Sequence, residues 1–370
     1  MHVLNVLTPV LLTGATGLIG GELLHALLAV GSRHLTAIVR PTSNLGVRAR
    51  IADRLMRSGW PVNGEVKHLT VETGDLREPG LGLAEEAAQQ LRRETQIIIH
   101  SASETSFIRN QDCHETNILG MRHLIDFAQS CRRKPLVVYM STAANGGAVS
   151  NCCLKEDEGC QPGAVHHNEY THSKALAEQI LWDSGLPALV LRPSIVFSAG
   201  LPDAKFARAI LWFVPLLNDL DAAPIDPASR LDTVPVASVV DWTIRLLQLP
   251  KRQHNCYHLS AGPAYSLTCN QIVDFLTMHY KREKPLELIP PGKWTRELHR
   301  RYIRTPQQRV TFSMLRHYLP FLNMNVVYDN SRLVADLGED AVRIPPFTAY
   351  MGELLTMIPH DAAMAEAFNP

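Results

Sequence analysis

Short apolar segments of strand type alternate with longer segments of helical periodicity through the first two hundred residues. The strand-type segments are residues 9–12, 35–39, 66–71, 96–99, 136–140 and 188–191. After the first of them, Leu23, Leu24, Leu27 and Leu28 recur on one helix face, and Gly31 marks the end of that helix. The strand segments are mostly apolar rather than alternating, as expected of strands covered on both faces. The alternation therefore predicts an α/β fold, a doubly wound parallel sheet with helices on both sides.

The pattern becomes less regular after residue 198, which predicts a second and smaller lobe. An apolar stretch at 206–217 predicts a helix over a pocket, and further strands are expected at 233–236 and 254–259. Beyond residue 260 the sequence favours helices and loops. The expected domains are a sheet domain over 8–260, from which 199–230 projects into the second lobe, and a mostly helical lobe over 261–370.

The overall charge is balanced, with 36 Lys and Arg against 36 Asp and Glu. Such a balance argues against a protein that binds nucleic acid or an anionic membrane through a clustered positive surface. No apolar run reaches the about 18 residues that a membrane-spanning helix requires. Seven cysteines, an odd number, and an N-terminus without the features of a signal peptide favour a cytoplasmic location.

A glycine-rich segment at residues 13–20, Thr-Gly-Ala-Thr-Gly-Leu-Ile-Gly, joins the first strand segment to the first helical one. Glycines let the chain turn tightly and let a pyrophosphate approach the backbone, while the helix N-terminus supplies free N–H groups. This arrangement predicts a Rossmann-type fold that binds a dinucleotide. The expected phosphate-binding residues are Gly14, Thr16, Gly17, Leu18 and Ile19. The glycine spacing differs from G-x-G-x-x-G, and a strand–turn–helix connection without a ligand is the alternative.

Arg40 ends the second strand segment, at the position that faces the adenosine ribose in dinucleotide-binding folds. An acidic residue there suits a free 2′-hydroxyl, whereas the guanidinium of an arginine suits a 2′-phosphate. Arg40 therefore predicts NADPH rather than NADH as the cofactor. The alternative is an arginine that is merely solvated at the end of a strand.

Two further strand ends could line the same cofactor. Asp75, followed by Leu76, could accept a hydrogen bond from the adenine amino group, or could only begin a turn. Ser101, Ala102 and Ser103 follow the fourth strand segment with side chains small enough for a cofactor to pass closely. Because the carboxyl ends of parallel strands meet at one edge of the sheet, we expect these residues beside the glycine loop.

Tyr170 and Lys174 stand four residues apart at the start of a helical segment and therefore share one helix face. The pKa of a free phenol is about 10, and a neighbouring ammonium together with an oxidised nicotinamide would lower it. A pair at this spacing is also common on protein surfaces. Thr142 ends the fifth strand segment, where a hydroxyl points to the same crevice. Asn117, which begins a helical segment, could be no more than an N-cap.

Taken in order, these segments resemble those of the extended short-chain dehydrogenase/reductase superfamily. Within it, the sequence is most similar to the branch of thioester reductases and fatty acyl reductases of the male sterility type. The resemblance covers roughly residues 9–260. The segments that carry it are 13–20, Arg40, 74–83, 100–103, 116–120, 141–147, 170–174, 192–196 and 232–236.

The resemblance implies a role for each matching residue. Thr142 is then the catalytic hydroxyl, since it lies five residues before Gly147. Tyr170 is the general acid, Lys174 is its partner and a contact of the cofactor, and Asn117 is a supporting residue. The further implied cofactor contacts are Tyr170, Pro193 and Ile195.

Three positions depart from the family pattern. Ser103 stands where relatives usually carry Ala, and the segment 141–147 lacks the aromatic residue that often follows Ser-Thr-Ala. Both departures could reshape the substrate pocket. Ala237 replaces the Asp that commonly follows Val-Pro-Val, which would remove a helix cap that Ser238 could replace.

The resemblance implies an oxidoreductase that uses NADPH to reduce an acyl thioester, held by coenzyme A or by a carrier protein acting in trans, to an aldehyde, which a second NADPH could reduce to an alcohol. Residues 8–260 would bind the cofactor, and residues 261–370 would bind the substrate. One alternative is a reductase or epimerase of a free ketone, a steroid-like alcohol or a nucleotide sugar. The other is a non-catalytic NADP sensor, which would generally lack the Tyr-x-x-x-Lys pair.

Two other clusters suggest ligands or partners. Cys152, Cys153 and Cys160, with two nearby histidines, have the composition of a metal site, but adjacent cysteines lack the spacing of a zinc site, so we expect no metal. The arginine-rich stretch 296–304 could face an acidic carrier protein, or could be a solvated helix.

Overall fold

The computed structural model describes residues 3–42, 45–60, 66–107, 110–157, 163–198 and 215–356. The strands are β1 (Val10–Thr13), β2 (Leu35–Val39), β3 (Leu69–Thr73), β4 (Ile97–His100), β5 (Leu136–Met140), β6 (Cys152–Leu154), β7 (Ala188–Pro193), β8 (Ile195–Phe197), β9 (Ala222–Ala223), β10 (Arg230–Leu231), β11 (Thr233–Pro235), β12 (Cys256–Leu259), β13 (Leu267–Thr268), β14 (Glu287–Leu288) and β15 (Val326–Tyr328).

The helices of the sheet domain are α1 (Leu18–Ala29), α2 (Val47–Arg57), α3 (Glu85–Glu94), α4 (Asn110–Cys113), α5 (Gly120–Ser130), α6 (Glu169–Asp183) and α7 (Val236–Gln248). The later helices are α8 (Gly262–Tyr265), α9 (Cys269–His279), α10 (Arg296–Tyr302), α11 (Pro306–Leu315), α12 (Leu319–Leu322), α13 (Ser331–Leu337), α14 (Glu339–Val342) and α15 (Phe347–Thr356). A π-helical segment, His114–Leu119, joins α4 to α5. None of the helices described here has the length and hydrophobicity to cross a membrane.

Seven strands form one parallel sheet in the order β12-β7-β5-β4-β1-β2-β3. The chain runs outward from β1 through β2 to β3 and then returns to β4, on the other side of β1. In the β1–β4 register Thr13 lies opposite His100, and the Thr13 hydroxyl is 2.8 Å from Nδ1 of His100. Ligands of open α/β sheets bind at such a reversal, beyond the carboxyl ends of the strands. The sheet order therefore places a crevice at the glycine loop, which directly follows β1.

Helices cover both faces of the sheet. On one face, α1 and α7 bury Leu27 and Leu246 against it. On the other face, α3, α5 and α6 bury Leu91, Leu124 and Leu181. Each fully buried leucine contributes about 1.5–3 kcal/mol, so the two layers together hold the sheet. The predicted doubly wound parallel sheet is confirmed, although the strand predicted at 66–71 begins later and extends to residue 73.

A second hydrophobic core lies outside the sheet, in the smaller lobe. It joins Phe197 and Ala223 to Val273 of α9, Leu315 of α11 and Leu354 of α15. Residues on both sides of position 260 therefore share this core. The boundary predicted at that position stays a prediction, and the helix predicted at 206–217 falls mostly outside the described residues.

Two segments of the C-terminal part return to the sheet domain. β15 pairs in parallel with β6, the short strand that precedes α6. α13 and α14 add Leu333 and Val342 to the core on one face of the sheet. Trp242 of α7 donates a hydrogen bond of 2.9 Å to the backbone oxygen of Ala341. The C-terminal part is therefore a structural component of the sheet domain as well as of the second lobe.

The start of α7 differs from the expectation. Pro235 occupies the N-cap position and makes no side-chain capping bond, and Ser238 lies half-buried inside the helix. The predicted cap by Ser238 is wrong, because the helix is held by buried side chains such as Val239 and Trp242.

Candidate active site

The glycine loop turns back on the end of β4. Gly14 has a φ of +76°, in the left-handed region that favours glycine. A Cβ on Gly14 would lie 2.4 Å from the backbone nitrogen of Ala102, and a Cβ on Gly20 would lie 2.2 Å from the oxygen of Gly14. Neither position has room for a side chain, so the loop presents bare backbone at the reversal between β1 and β4.

The N-terminus of α1 is open to an anion. Its N-cap residue Gly17 is exposed and makes no side-chain capping bond, and the first turn carries no acidic residue. Thr16, Leu18 and Ile19 are partly exposed around it. Free N–H groups at a helix N-terminus beside a bare glycine turn are what a pyrophosphate requires. The predicted phosphate-binding residues therefore fit the pyrophosphate of a dinucleotide.

Two arginines lie beside this turn, and only one of them was predicted. Arg40 is exposed at the end of β2, and Arg50 of α2 reaches toward it. Arg50 donates one hydrogen bond to the backbone oxygen of Arg40 and another, of 3.2 Å, to the Thr16 hydroxyl. Burial and the charge of Arg40 lower the pKa of Arg50. The sequence contains several arginines in α2, and their spacing gives no signal that distinguishes Arg50.

Asp75 lies at the end of β3, where Arg77 already binds it. The carboxylate accepts hydrogen bonds from the Arg77 backbone at 3.0 Å and from its guanidinium at 2.7 Å. Burial raises the pKa of Asp75, but the hydrogen bonds and the charge of Arg77 together lower it by a larger amount. The pKa of Asp75 therefore lies below its usual value. The backbone oxygen of Leu76 lies 2.9 Å from Nδ1 of His123. A contact of Asp75 and Leu76 with adenine stays a prediction.

Asn117 does not cap a helix, so that alternative is wrong. It lies inside the π-helical segment, after the helix has already begun at α4. Its side chain accepts hydrogen bonds from the Ser103 hydroxyl at 3.0 Å and from the Glu104 N–H at 2.8 Å. It also donates hydrogen bonds to the Glu104 oxygen at 3.0 Å and to the Ser173 hydroxyl at 2.9 Å. Asn117 therefore ties the loop after β4 to α6, as expected of a supporting residue.

The small residues after β4 serve two purposes. Ser101 and Ala102 approach Gly14 through their backbone atoms. The hydroxyl of Ser103 is bound by Asn117, so its side chain fixes the loop. Contact of all three residues with a cofactor stays a prediction.

The structure brings Thr142, Tyr170 and Lys174 together at the carboxyl edge of the sheet. Tyr170 and Lys174 lie in the first two turns of α6, whose N-cap Asn168 accepts a hydrogen bond of 2.9 Å from the Thr171 N–H. Thr142 follows β5 and is hydrogen-bonded to the Tyr170 phenol. A hydroxyl, a phenol and an ammonium therefore converge beside the crevice that the glycine loop lines.

Burial dominates the ionisation of this group. The pKa of Tyr170 is raised to about 12, because the effect of burial is larger than the opposite effect of the hydrogen bond with Thr142. Lys174 does not offset this increase, because its Nζ donates to the Met140 oxygen at 2.6 Å and lies 4.3 Å from the centre of the Tyr139 ring. Lowering of the Tyr170 pKa by the ammonium together with an oxidised nicotinamide stays a prediction. Burial lowers the pKa of Lys174 to about 7. At neutral pH Tyr170 is therefore protonated, as a general acid must be.

The neighbouring strand ends complete the edge of the site. The Ser141 hydroxyl donates to Oε2 of Glu178 at 2.8 Å, which leaves Thr142 as the hydroxyl beside Tyr170. Pro193 ends β7 and is buried, and Ile195 opens β8 and is half-buried. A contact of Pro193 and Ile195 with a cofactor stays a prediction.

An aromatic cluster, which we name the aromatic wall, covers one side of Tyr170. The ring centre of Phe107 lies 6.0 Å from that of Tyr170, 5.3 Å from that of Tyr318 and 5.0 Å from that of Phe321. His167 packs against Phe321 at 5.3 Å. All of these rings keep some exposure. No sequence pattern indicates the wall, because its members come from the loop after β4, from the start of α6 and from around α12.

The cysteine-rich segment before α6 is partly described. Cys152 and Cys153 lie on β6, which pairs with β15, and Cys160 lies outside the described residues. Among the residues that are described, no three His, Cys, Asp or Glu side chains are arranged to hold a metal ion.

Comparison with known sequences identifies the family. A family model described as male sterility protein, with an NAD-binding designation, matches residues 12–243. Nonribosomal peptide synthetase asaC of Aspergillus flavus is 30% identical over 270 residues, which are 68% of this chain and 26% of that protein. Fatty acyl-CoA reductase 2, chloroplastic, of Arabidopsis thaliana is 21% identical over 275 residues, 56% of this chain and 45% of that protein. The chain thus spans less than half the length of either relative.

Two solved structures share the fold. The terminal R domain of the myxalamid PKS-NRPS biosynthetic pathway superimposes with a TM-score of 0.79 at 22% identity, covering 99% of this chain and 93% of that one. The reductase (R) domain of a nonribosomal peptide synthetase from Mycobacterium tuberculosis gives a TM-score of 0.66 at 21% identity, covering 98% and 94%.

The family model spans more than half of the chain, from β1 into α7. It includes the glycine loop, the end of β5 and the Tyr170–Lys174 pair. The resemblance inferred from the sequence is thereby confirmed, and the NAD-binding designation of the model supports a nicotinamide cofactor for this domain. The chain belongs to the male sterility family, the thioester reductase and fatty acyl reductase branch of the extended short-chain dehydrogenases/reductases.

Proposed function

We propose that the protein is an NADPH-dependent reductase of an acyl thioester, which it converts to an aldehyde and, with a second equivalent of NADPH, to an alcohol. The observation that carries this proposal is the convergence of Thr142, Tyr170 and Lys174 between the glycine loop and the aromatic wall. The site thereby offers a proton donor at a place that both a dinucleotide and an apolar acyl group can reach.

The residues of the chain supply the proton and stabilise the developing charge. When bound, the nicotinamide cofactor supplies a hydride to the carbonyl carbon. Tyr170, with Thr142 beside it, donates a hydrogen bond to the carbonyl oxygen as negative charge grows there. Tyr170 then transfers its proton to that oxygen, which completes a hemithioacetal, and the Lys174 ammonium stabilises the phenolate left behind. The carbon–sulfur bond of the hemithioacetal breaks, its electron pair and the hydroxyl proton go to sulfur, and thiol and aldehyde result.

Preference for NADPH is supported by the two arginines beside the turn. Arg40 and Arg50 approach each other next to Thr16, at the end of β2. A guanidinium binds a phosphate through charge-assisted hydrogen bonds, each worth about 1.5–3 kcal/mol. The 2′-phosphate of NADPH would therefore bind here, whereas the 2′-hydroxyl of NADH would leave both charges unused.

A carrier protein acting in trans is supported by local charge. Residues 293–316 carry seven Lys and Arg, all exposed, against a single Glu, although the whole chain is neutral. The aromatic stack of Trp294 on Phe312, with centres 6.1 Å apart, ties α10 to α11 beneath these charges. Two residues after this segment, Tyr318 belongs to the aromatic wall. An acidic carrier bound here would present its acyl thioester next to Tyr170.

A substrate panel tests the proposal. The protein is incubated with NADPH and with acyl thioesters of coenzyme A, pantetheine and a carrier protein, and also with free ketones and sugar nucleotides, and products are identified by mass. Aldehyde or alcohol formed from a thioester supports the proposal, and turnover of only free ketones or sugars refutes it. Tyr170→Phe should remove most activity, whereas Tyr265→Phe, a change of an exposed tyrosine, should not.

The carrier is tested separately. Arg304→Glu should lower kcat/KM for a carrier-bound thioester and leave the pantetheine thioester unchanged, because only the carrier presents an acidic surface to residue 304. An equal effect on both substrates would remove the support for docking at this segment.

A further inference from the structure

One carboxylate behind the catalytic residues has no role in the reaction described so far. Glu178 lies on α6, one helical turn after Lys174 and two turns after Tyr170, so the three share one side of the helix. It is only 4% exposed. A charged carboxylate that is buried so completely requires several donors around it.

Glu178 binds donors from three separate elements. Its Oε2 accepts hydrogen bonds from the Ser141 hydroxyl at 2.8 Å, the Asn145 amide at 2.6 Å and Nε of Arg192 at 3.2 Å. Its Oε1 accepts from Nη2 of Arg192 and, at 3.4 Å, from the indole of Trp182. Such a network joins the catalytic helix to the ends of β5 and β7.

The two contacts at the end of β5 bracket Thr142. Ser141 precedes Thr142, and Asn145 lies in the short turn Ala143–Gly146 for which Thr142 is the N-cap. Both side chains bind the same oxygen of Glu178, so the backbone on each side of Thr142 is anchored to α6. The helix that carries Tyr170 thereby sets the position of the hydroxyl that bonds to Tyr170.

The charge of Glu178 also acts on Lys174. The other ionisable groups near the ammonium are His100 on β4 and Tyr139 on β5, and Tyr170 precedes Lys174 by one turn on the same helix. Burial and the charge of Lys174 lower the pKa of His100 to about 3, so this ring is neutral and cannot stabilise the ammonium.

Glu178 is therefore the negative group beside Lys174 among the described residues, and it opposes the lowering of the lysine pKa by burial. Arg192 lies beyond it on β7 and shares its charge.

We propose that Glu178 is a positioning residue of the reduction: it fixes the Thr142 hydroxyl against Tyr170 and places a carboxylate one helical turn from the Lys174 ammonium. This inference rests on the proposed function only in needing a measurable turnover, so any substrate that the wild-type protein reduces can be used.

The test is the pH profile of kcat in Glu178→Gln. Loss of the charge should move the alkaline limb of the profile toward lower pH by about one unit, at the lower end of the about 1–3 units by which a neighbouring opposite charge shifts a pKa. Replacing one carboxylate oxygen by an NH2 group, which donates and cannot accept from Ser141, Asn145 or Arg192, should lower kcat about tenfold or more, since the anchors of Thr142 are weakened. The KM for NADPH should change less than kcat, because Glu178 does not touch the glycine loop.

Two further variants separate the parts of the proposal. Glu156→Gln is the matched control, since Glu156 is also buried and lines the same cavity of about 260 Å³ behind α6. It should leave the alkaline limb where it is. Ser141→Ala removes one anchor of Thr142 without changing charge, and should lower kcat with an unshifted profile.

The results that overturn the proposal are equally specific. A folded Glu178→Gln protein with kcat within twofold of wild type and an unmoved alkaline limb would exclude both effects. If that variant does not fold, Ser141→Ala decides: an unchanged kcat shows that the anchor does not position Thr142. Failure of the wild-type protein to reduce any thioester would refute the proposed function and leave the role of Glu178 testable on the substrate that is reduced.

Discussion

Replacement of Gly14 by alanine tests the close approach of the glycine loop to β4. An L-residue at a φ of +76° costs about 1–2 kcal/mol. The new Cβ would also lie 2.4 Å from the Ala102 nitrogen and 2.6 Å from the Ser101 carbonyl carbon, and overpacking of this kind costs about 1–3 kcal/mol. Both neighbours are backbone atoms that cannot rotate away. Gly14→Ala should therefore lose about 2–5 kcal/mol, divided between folding stability and cofactor affinity.

Two measurements together capture this loss. Titration of nicotinamide fluorescence gives the Kd for NADPH, and urea denaturation gives the free energy of unfolding. If the whole of this loss falls on cofactor binding, Kd should rise by about 30-fold or more, since 1.4 kcal/mol corresponds to tenfold. Gly292→Ala is the control, because no atom lies within 4 Å of a Cβ at that position. If Kd stays within twofold of wild type and the free energy of unfolding stays within about 0.5 kcal/mol of it, the reasoning about the loop is refuted.

Three further predictions concern the cofactor, the lysine and the substrate. Arg50→Ala should raise the Kd for NADPH about tenfold and leave that for NADH nearly unchanged, since one charge-assisted bond to phosphate is lost; an equal effect on both cofactors, or the same effect from Arg48→Ala on the same helix, would contradict it. Lys174→Met should abolish turnover yet raise the free energy of unfolding at pH 7. The folded pKa of about 7 lies below the unfolded value, so the cost of the buried ammonium is full below pH 7 and is relieved as pH rises toward 10. Urea denaturation at a series of pH values should show the stability gain of Lys174→Met shrinking between pH 7 and about 10. A gain that stays constant over this range would show that burial of the ammonium is not its cause. Phe321→Ala should raise KM for long or aromatic acyl thioesters more than for acetyl thioester, because the wall is lost from one side; a uniform change in KM would speak against contact between acyl group and wall.

The sheet could be predicted because the sequence pattern of each strand and helix is contained in a few neighbouring residues. Most strand segments are predominantly apolar, and the helical segments between them show their own periodicity, so the parallel sheet follows without knowledge of long-range contacts. The glycine loop and the Tyr170–Lys174 pair are also local patterns, readable within a few residues. What the sequence could not provide was the ionisation of Tyr170, because burial by distant elements outweighs the effect of its neighbour in the helix.

The residues that were missed depend on contacts between distant segments. Arg50 is one arginine among several in α2 until its bonds to Arg40 and Thr16 single it out. Phe107 and Phe321 are joined only when α12 packs over the loop after β4. Asn117 shows a local signal for a helix start, but the π-helical segment and its bond to Ser173 reveal another role. Residue type predicted the chemistry of the site, and tertiary packing decided which residues take part.

The return of the C-terminal part to the sheet has a consequence for how the protein is made. Leu333 and Val342 complete the core on one face of the sheet, and Trp242 finds its hydrogen-bond partner only at Ala341. During synthesis, α7 leaves the ribosome about ninety residues before these partners. Until they follow, the apolar surface of α7 that they cover stays exposed to solvent. Contacts of such high sequence separation slow folding and expose intermediates to aggregation. Nascent chains arrested before residue 326 should therefore bind chaperones more strongly than the full chain.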